Sequence, residues 1–115
     1  MLVEISKAEL IDKITILEIK EERIKDIEKL ENVRTELNIL RKLEFPTHMK
    51  RELKHVNNTI WELEDRIRIL EKNREFKNEF IDKARNIYKY NDERARIKKE
   101  INLIHNSNII EEKSY

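Results

Sequence analysis

The chain has 115 residues, of which 43% are charged and 38% hydrophobic, with one Pro and neither Gly nor Cys. The lack of Gly argues against the phosphate-binding loops of nucleotide folds, and the lack of Cys excludes disulfides and Cys-ligated metals. Its 25 basic and 24 acidic residues nearly cancel, which argues against nucleic acid as a partner. No apolar run approaches the roughly 20 residues of a membrane span, so we expect a soluble, cytoplasmic chain with one domain, residues 1–115.

The first helix is predicted from about residue 7 to 45. Ser6 and Glu9 form a capping box at its start, and apolar residues then recur every three or four positions until Pro46. Such a helix would be roughly 60 Å long and would need partners along its whole length. Its apolar stripe rotates over residues 24–33. We therefore expect it to contact a second helix at one end and a third helix, or another subunit, elsewhere.

Two further helices are predicted at about residues 47–73 and 78–106. The earlier of the two carries an unbroken a/d seam, formed by Met49, Leu53, Val56, Ile60, Leu63, Ile67 and Leu70. The turn between the two helices is inferred from the loss of this pattern after residue 73. The predicted fold is all-α, an antiparallel three-helix bundle of long helices with short extended ends. We expect a homodimer through helix 1 and the seam of helix 2.

Acidic residues with i,i+3 spacing could hold Mg²⁺, as they do in all-α nucleotide pyrophosphohydrolases. Five such pairs occur, whereas chance alone predicts roughly four in a chain this acidic. Glu18 and Glu21 fall within the apolar arc of helix 1, but an ion pair with a neighbouring helix is the simpler interpretation. Glu52 and His55 form a Glu-x-x-His, yet a di-iron bundle needs a second one, which is missing. We predict no metal and no cofactor.

Helix 3 is the most basic predicted element, and residues 77–106 contain eight basic and five acidic side chains. Arg94 and Lys98 lie one turn apart and could hold an anion, although a solvated face with local ion pairs is the simpler reading. Asn91 continues the inward row of Ala84 and Tyr88 and interrupts it with an amide. Such an Asn fixes register or oligomeric state, or it lines a polar pocket.

Several segments resemble a family of small bacterial and phage helical proteins known only as a domain of unknown function. These segments are Glu9–Lys20, Leu63–Arg68, Phe80–Arg85, Tyr88, Asn91–Arg94 and Glu111–Tyr115. The sequence departs from the family pattern at Ala8, where a Gly is expected. The resemblance implies no named activity, and members stand alone or beside glycosyltransferase-like and tetratricopeptide regions. A family site would fall at Asp12, Lys13, Glu18, Tyr88, Asn91, Asp92 and Arg94.

From the sequence we favour a non-enzymatic helical interaction or scaffold module that forms a homodimer or binds another protein. The alternative is a small enzyme or binder of an anionic or phosphorylated metabolite. It could be a pyrophosphohydrolase-like enzyme that uses Mg²⁺, or a chorismate-mutase-like enzyme, although no Arg precedes helix 1 and the chain has no Gln. In this alternative Asn91, Arg94 and Lys98 grip the anion and Glu18 holds the metal.

Overall fold

A computed structural model describes residues 2–107, and within that range it contains four α-helices and no strand. The helices are α1 (Lys7–Arg23), α2 (Ile27–Arg41), α3 (Lys50–Lys72) and α4 (Asn78–Ile104). The predicted all-α class is confirmed, but the three-helix bundle is wrong. Residues 2–6 have no regular secondary structure, and the other predicted extended end, at 109–114, lies outside the described residues.

The first predicted helix breaks after Arg23. Ile24 has an extended backbone with φ −78° and ψ 131°. Two residues later the Asp26 carboxylate accepts a hydrogen bond from the Lys29 backbone N–H at 3.2 Å and caps α2. The rotating apolar stripe of residues 24–33 therefore marks the start of a new helix. Because of this break α2 packs back on α1 instead of extending it as a rod.

The central helix of the molecule is α1, which contacts each of the other three, whereas α2 packs on α1 alone among the described helices. One face of α1 meets α2 in a small apolar cluster of Leu10, Ile14, Leu17, Val33 and Leu37. Another face joins the main core, which contains Ala8, Ile11, Met49, Leu53, Val56, Ile60, Ile97 and Ile101. The expectation that the first helix segment buries more than one face is confirmed.

The predicted a/d seam begins at Met49, just before α3, continues along that helix and faces the interior of the protein. Met49, Leu53, Val56, Ile60 and Leu70 are all buried. The first four pack in the main core with residues of α1 and α4. The seam therefore holds the chain's own helices together, and a dimer must use a different surface from the one predicted.

The last helix begins and ends close to its predicted limits, but part of its predicted inward row faces solvent. Ile97 and Ile101 are buried in the core, whereas Ala84 and Tyr88 are exposed. In the turn before α4 the left-handed residue is Arg74, with φ 55°, whereas Asn73 has φ −86°.

Candidate functional site

A buried network of polar side chains joins α1, α3 and α4. Its centre is Asp12, which is 1% exposed. Asp12 Oδ1 accepts hydrogen bonds from Arg94 Nε at 3.0 Å and from Asn57 Nδ2 at 2.9 Å. Asp12 Oδ2 contacts a terminal nitrogen of the same guanidinium, so the ion pair is bidentate. Asn57 Nδ2 also donates to the Thr15 hydroxyl at 2.9 Å, and that hydroxyl donates to the Asp12 carbonyl oxygen at 2.8 Å.

A second ion pair extends this central network towards the start of α1. Lys98 Nζ lies 2.9 Å from Glu9 Oε2 and 3.7 Å from Asp12 Oδ2. Two carboxylates thus face two cations, Arg94 and Lys98, and these four groups carry no net charge. An anionic ligand would have to compete with Asp12 and Glu9 for both cations.

The pKa directions of the network reflect this pairing. Burial raises the pKa of Asp12, but the hydrogen bonds and charge of Arg94, the Asn57 amide and the charge of Lys98 outweigh it and hold that pKa below its ordinary value. Burial likewise lowers the pKa of Lys98, but the carboxylates of Glu9 and Asp12 raise it above its ordinary value. Asp12 and Lys98 are therefore both charged at neutral pH.

The end of α4 caps the start of α1. The buried Asn102 accepts a hydrogen bond through Oδ1 from the backbone N–H of Ala8 at 2.8 Å, and Ser107 Oγ accepts one from the N–H of Lys7 at 3.1 Å. These are amides of the first helical turn, which no carbonyl of the helix itself can satisfy. Ala8 is fully buried at this contact.

Glu18 belongs to a separate ionic cluster between α1, α2 and the start of α3. Its carboxylate lies 3.2 Å from Arg41, 3.0 Å from Lys50 and 3.4 Å from Lys54. Burial raises the pKa of Glu18, but the hydrogen bonds from Lys50 and Arg41 and the charge of Lys54 lower it below its ordinary value. The acid is surrounded by cations, which is the environment of a structural ion pair and is unfavourable for Mg²⁺.

The other acidic pairs do not form a metal site. Within residues 2–107 no group of three or more His, Asp or Glu side chains is arranged to hold a metal ion. Glu79, for example, accepts hydrogen bonds from Arg66 Nε and Nη2.

A cavity of about 230 Å³ lies where α1 leaves the groove between α3 and α4. The residues that line it are Ile16, Ile19, Asn57, Ile60, Trp61, Glu64, Asn91 and Arg94. Four of these residues are apolar or aromatic and four are polar or charged, and the central network reaches the cavity through Asn57 and Arg94. We call residues 61–92, which run from this cavity to the α3–α4 turn and back, the arm; the cavity lies at the base of the arm.

A second, shallower pocket of about 560 Å³ lies near the start of α3 and includes Arg41, Phe45, Lys50 and His105 in its lining. Among the described residues, His105 Nε2 is the one buried side-chain nitrogen or oxygen without a hydrogen-bond partner, and its ring packs 4.8 Å from that of Phe45. Both Arg41 and Lys50 already pair with Glu18. The pocket therefore carries less net positive charge than Arg41 and Lys50 alone would give it.

The structure brings together only some of the sequence-predicted site residues. Asp12, Arg94 and Lys98 meet in the central network, and Asn91 lines the adjoining cavity. The remaining four predicted residues lie elsewhere: Glu18 in its own cluster, and Lys13, Tyr88 and Asp92 exposed on the surface.

Sequence analysis missed Asn57, Thr15 and Asn102. All three are buried and hydrogen-bonded between helices. One signal was available for Asn102, because it continues the helical row of Arg94 and Lys98 at spacings of four residues. Asn57 had a weaker signal, as a polar neighbour of the seam residue Val56.

No helix within the described range is both long and apolar enough to cross a membrane. The geometry defines a small all-helical domain with a neutral, buried polar network at its centre. The chain belongs to the family of unknown function DUF6165, which matches residues 1–115. No curated protein and no solved structure matches it.

Proposed function

We propose that the chain is a non-enzymatic helical interaction module that binds its partner through the arm. One observation supports this most strongly: Ile81, Ala84 and Tyr88 form an apolar row along α4 that no helix within residues 2–107 covers. Ile81 is 53% and Tyr88 55% exposed. In helical spacing this row continues into Asn91, Lys98 and Asn102, the part of α4 that faces α1.

The row has the pattern of a helix-packing surface. Steps of three and four residues place side chains on one helix face, and the same face of α4 is covered by α1 further along the chain. Phe76 and Ile69, near the arm tip, add further exposed apolar surface. A contiguous exposed apolar surface of this kind is typical of a protein contact site.

An enzyme or anion-binding role receives less support from the central network. Its cations are already paired with carboxylates, and the network joins three helices through buried hydrogen bonds. Such networks fix helix register at a cost in desolvation. We assign the network to positioning α4 against α1, so that the arm projects from a rigid base.

We place the module in the cytoplasm, in a bacterial or phage setting, because the chain lacks Cys and because of the resemblance described above. Its partner is a protein: a second copy or another chain.

Photocrosslinking in cells tests this function. A benzoylphenylalanine at position 88 replaces one exposed aromatic side chain with another, and the matched control places it at Ile39, which is 57% exposed on α2. We expect adducts heavier than the 14.1 kDa chain from position 88 and few from position 39. If position 88 yields no adduct, or if position 39 yields more, the arm is not the interaction surface.

A further inference from the structure

We infer that the arm binds a second copy of this chain, arm against arm and antiparallel about a two-fold axis, with Phe76 of each copy seated in the base cavity of the other. This inference rests on the proposed role of the arm as an interaction surface. It names the partner and adds a specific contact.

The apolar row is complementary to itself. A two-fold interface requires a surface that fits its own copy, with projections and recesses on the same patch. In the row, the small Ala84 lies between two large side chains, Ile81 and Tyr88, and all three are exposed. About a two-fold axis near Ala84, Tyr88 of one copy can therefore lie against Ile81 of the other, with the two small Ala84 side chains close to the axis, and the reverse contact forms by symmetry.

The charges of the arm do not select a partner of opposite charge. Residues 61–92 contain eight acidic and eight basic side chains. Electrostatic steering towards a strongly acidic or basic protein needs an excess of one sign. A neutral arm carries no net repulsion against its own copy.

The position of α1 sets the direction of the second arm. Arg23, at the end of α1, donates to Asn58 and pairs with Glu62 on α3, and the start of α1 contacts Arg94 to Asn102 on α4. In each copy α1 therefore covers the base of the arm, on the same face of α4 that carries the row of Ile81, Ala84 and Tyr88. Two arms that pointed the same way would bring their α1 helices into collision, so the arms must be antiparallel.

An antiparallel arrangement brings the arm tip to the cavity. If the axis is near Ala84, Asn78 at the start of α4, six residues before Ala84, faces the position six residues after it, Tyr90. Phe76, in the turn just before α4, then faces the residues just beyond Tyr90, where Asn91 and Arg94 line the cavity. Six helical residues span about 9 Å on either side of the axis.

The cavity has the volume to receive the ring and an apolar wall for it to pack against. It measures about 230 Å³, and four of its eight lining residues, Ile16, Ile19, Ile60 and Trp61, are apolar or aromatic, while the other four are polar or charged. By volume alone, about 150 Å³ is enough for benzene. Phe76 is 51% exposed in the single chain, where its ring touches only that of Phe80 among the described aromatic rings, 5.2 Å away.

Trp61, the only tryptophan in the sequence, lines the cavity and reports on its occupancy. In the wild-type chain we expect its emission to shift to shorter wavelength as the concentration is raised through dimer formation, because the incoming ring excludes water. Phe76→Ala should abolish the shift and raise the dimer dissociation constant by about tenfold or more, as expected for a buried aromatic anchor. Ile39→Ala, which truncates an exposed apolar side chain on α2, outside the arm, should change neither the emission shift nor the dissociation constant.

Native mass spectrometry on the same samples counts the copies. A dimer that forms equally well with Phe76→Ala, or a Trp61 shift that persists in that variant, would overturn the seating of Phe76. Another outcome is a wild-type chain that stays at 14.1 kDa while position 88 gives photoadducts whose mass is not that of two copies. That result would overturn the second copy as the partner and leave the proposed interaction module standing. A single 14.1 kDa species with no photoadduct would contradict both.

Discussion

The carboxylate of Asp12 is the buried charge on which the junction of three helices depends. It is held by Arg94 from α4 and by Asn57 from α3, whose amide also donates to the Thr15 hydroxyl. Without Arg94 the buried carboxylate would keep, among the described residues, only Asn57 and the more distant Lys98 Nζ at 3.7 Å, and removing one partner of a buried ion pair costs far more than the pair itself contributes.

Arg94→Gln is therefore expected to destabilise the chain by about 3–5 kcal/mol, measured by urea unfolding at neutral pH. Arg66→Gln is the matched control, because Arg66 pairs with Glu79 on the surface, where such pairs contribute about 0–1 kcal/mol. A loss for Arg94→Gln no larger than that of the control would contradict the assigned role of the network.

Stability should also fall in acid. Asp12 and Glu18 have pKa values below the ordinary 3.8 and 4.5, so the folded chain binds these protons less tightly than the unfolded chain does. Their contribution is fully present above the ordinary values and is lost as the pH falls through the lowered folded-state values. Asp12→Asn should weaken this pH dependence, seen in urea midpoints between roughly pH 7 and pH 2. An unchanged dependence would contradict the lowered pKa of Asp12.

The residues of this network were only partly predictable. Asp12 was singled out through the family resemblance, and Arg94 and Lys98 through the basic character of α4. Their pairing joins residues 82 positions apart in the chain, and no local pattern encodes such a contact. Asn57 and Thr15 are ordinary polar residues of amphipathic helices, and only the packing of three helices makes them buried partners.

At the scale of the elements, the break between α1 and α2 decides the architecture. Apolar spacing continues across residues 24–26, and neither Gly nor Pro marks the break, so periodicity alone predicts one long helix. The physical signals were the rotation of the stripe and an Asp able to cap a new helix at position 26. By contrast, Pro46 precedes α3, the apolar pattern changes phase between α3 and α4, and α4 is the last predicted helix. The predicted limits of these two helices differ from the structure by at most three residues.

Asp26→Ala tests the cap. The loss of an N-cap costs about 0.5–2 kcal/mol, and here the cost should fall mainly on α2, which packs on α1 alone. Hydrogen exchange should accelerate in α2 and stay unchanged in α3. Asp82→Ala, which removes an exposed carboxylate from α4, should leave hydrogen exchange unchanged in both α2 and α3. Equal acceleration in every helix would show that α2 does not open separately.

At the scale of the whole molecule, α1 is the axis on which the other helices are arranged. It carries α2 on one face and the α3–α4 pair on another, and it covers only the base of that pair. The arm beyond it presents an apolar row that the sequence patterned for burial and that the described residues 2–107 leave exposed. This difference between pattern and structure is what supports the proposed protein partner.

Sedimentation equilibrium of the wild type and of Tyr88→Glu tests the role of the arm most directly. The wild type should approach twice the 14.1 kDa of one chain as concentration rises from about 1 to 100 µM. Tyr88→Glu, which places a charge in the row, should remain a monomer, while Ile39→Glu on α2 should still dimerise. A Tyr88→Glu chain that associates as well as the wild type, or a wild-type chain that never exceeds 14.1 kDa, would contradict the dimer through the arm.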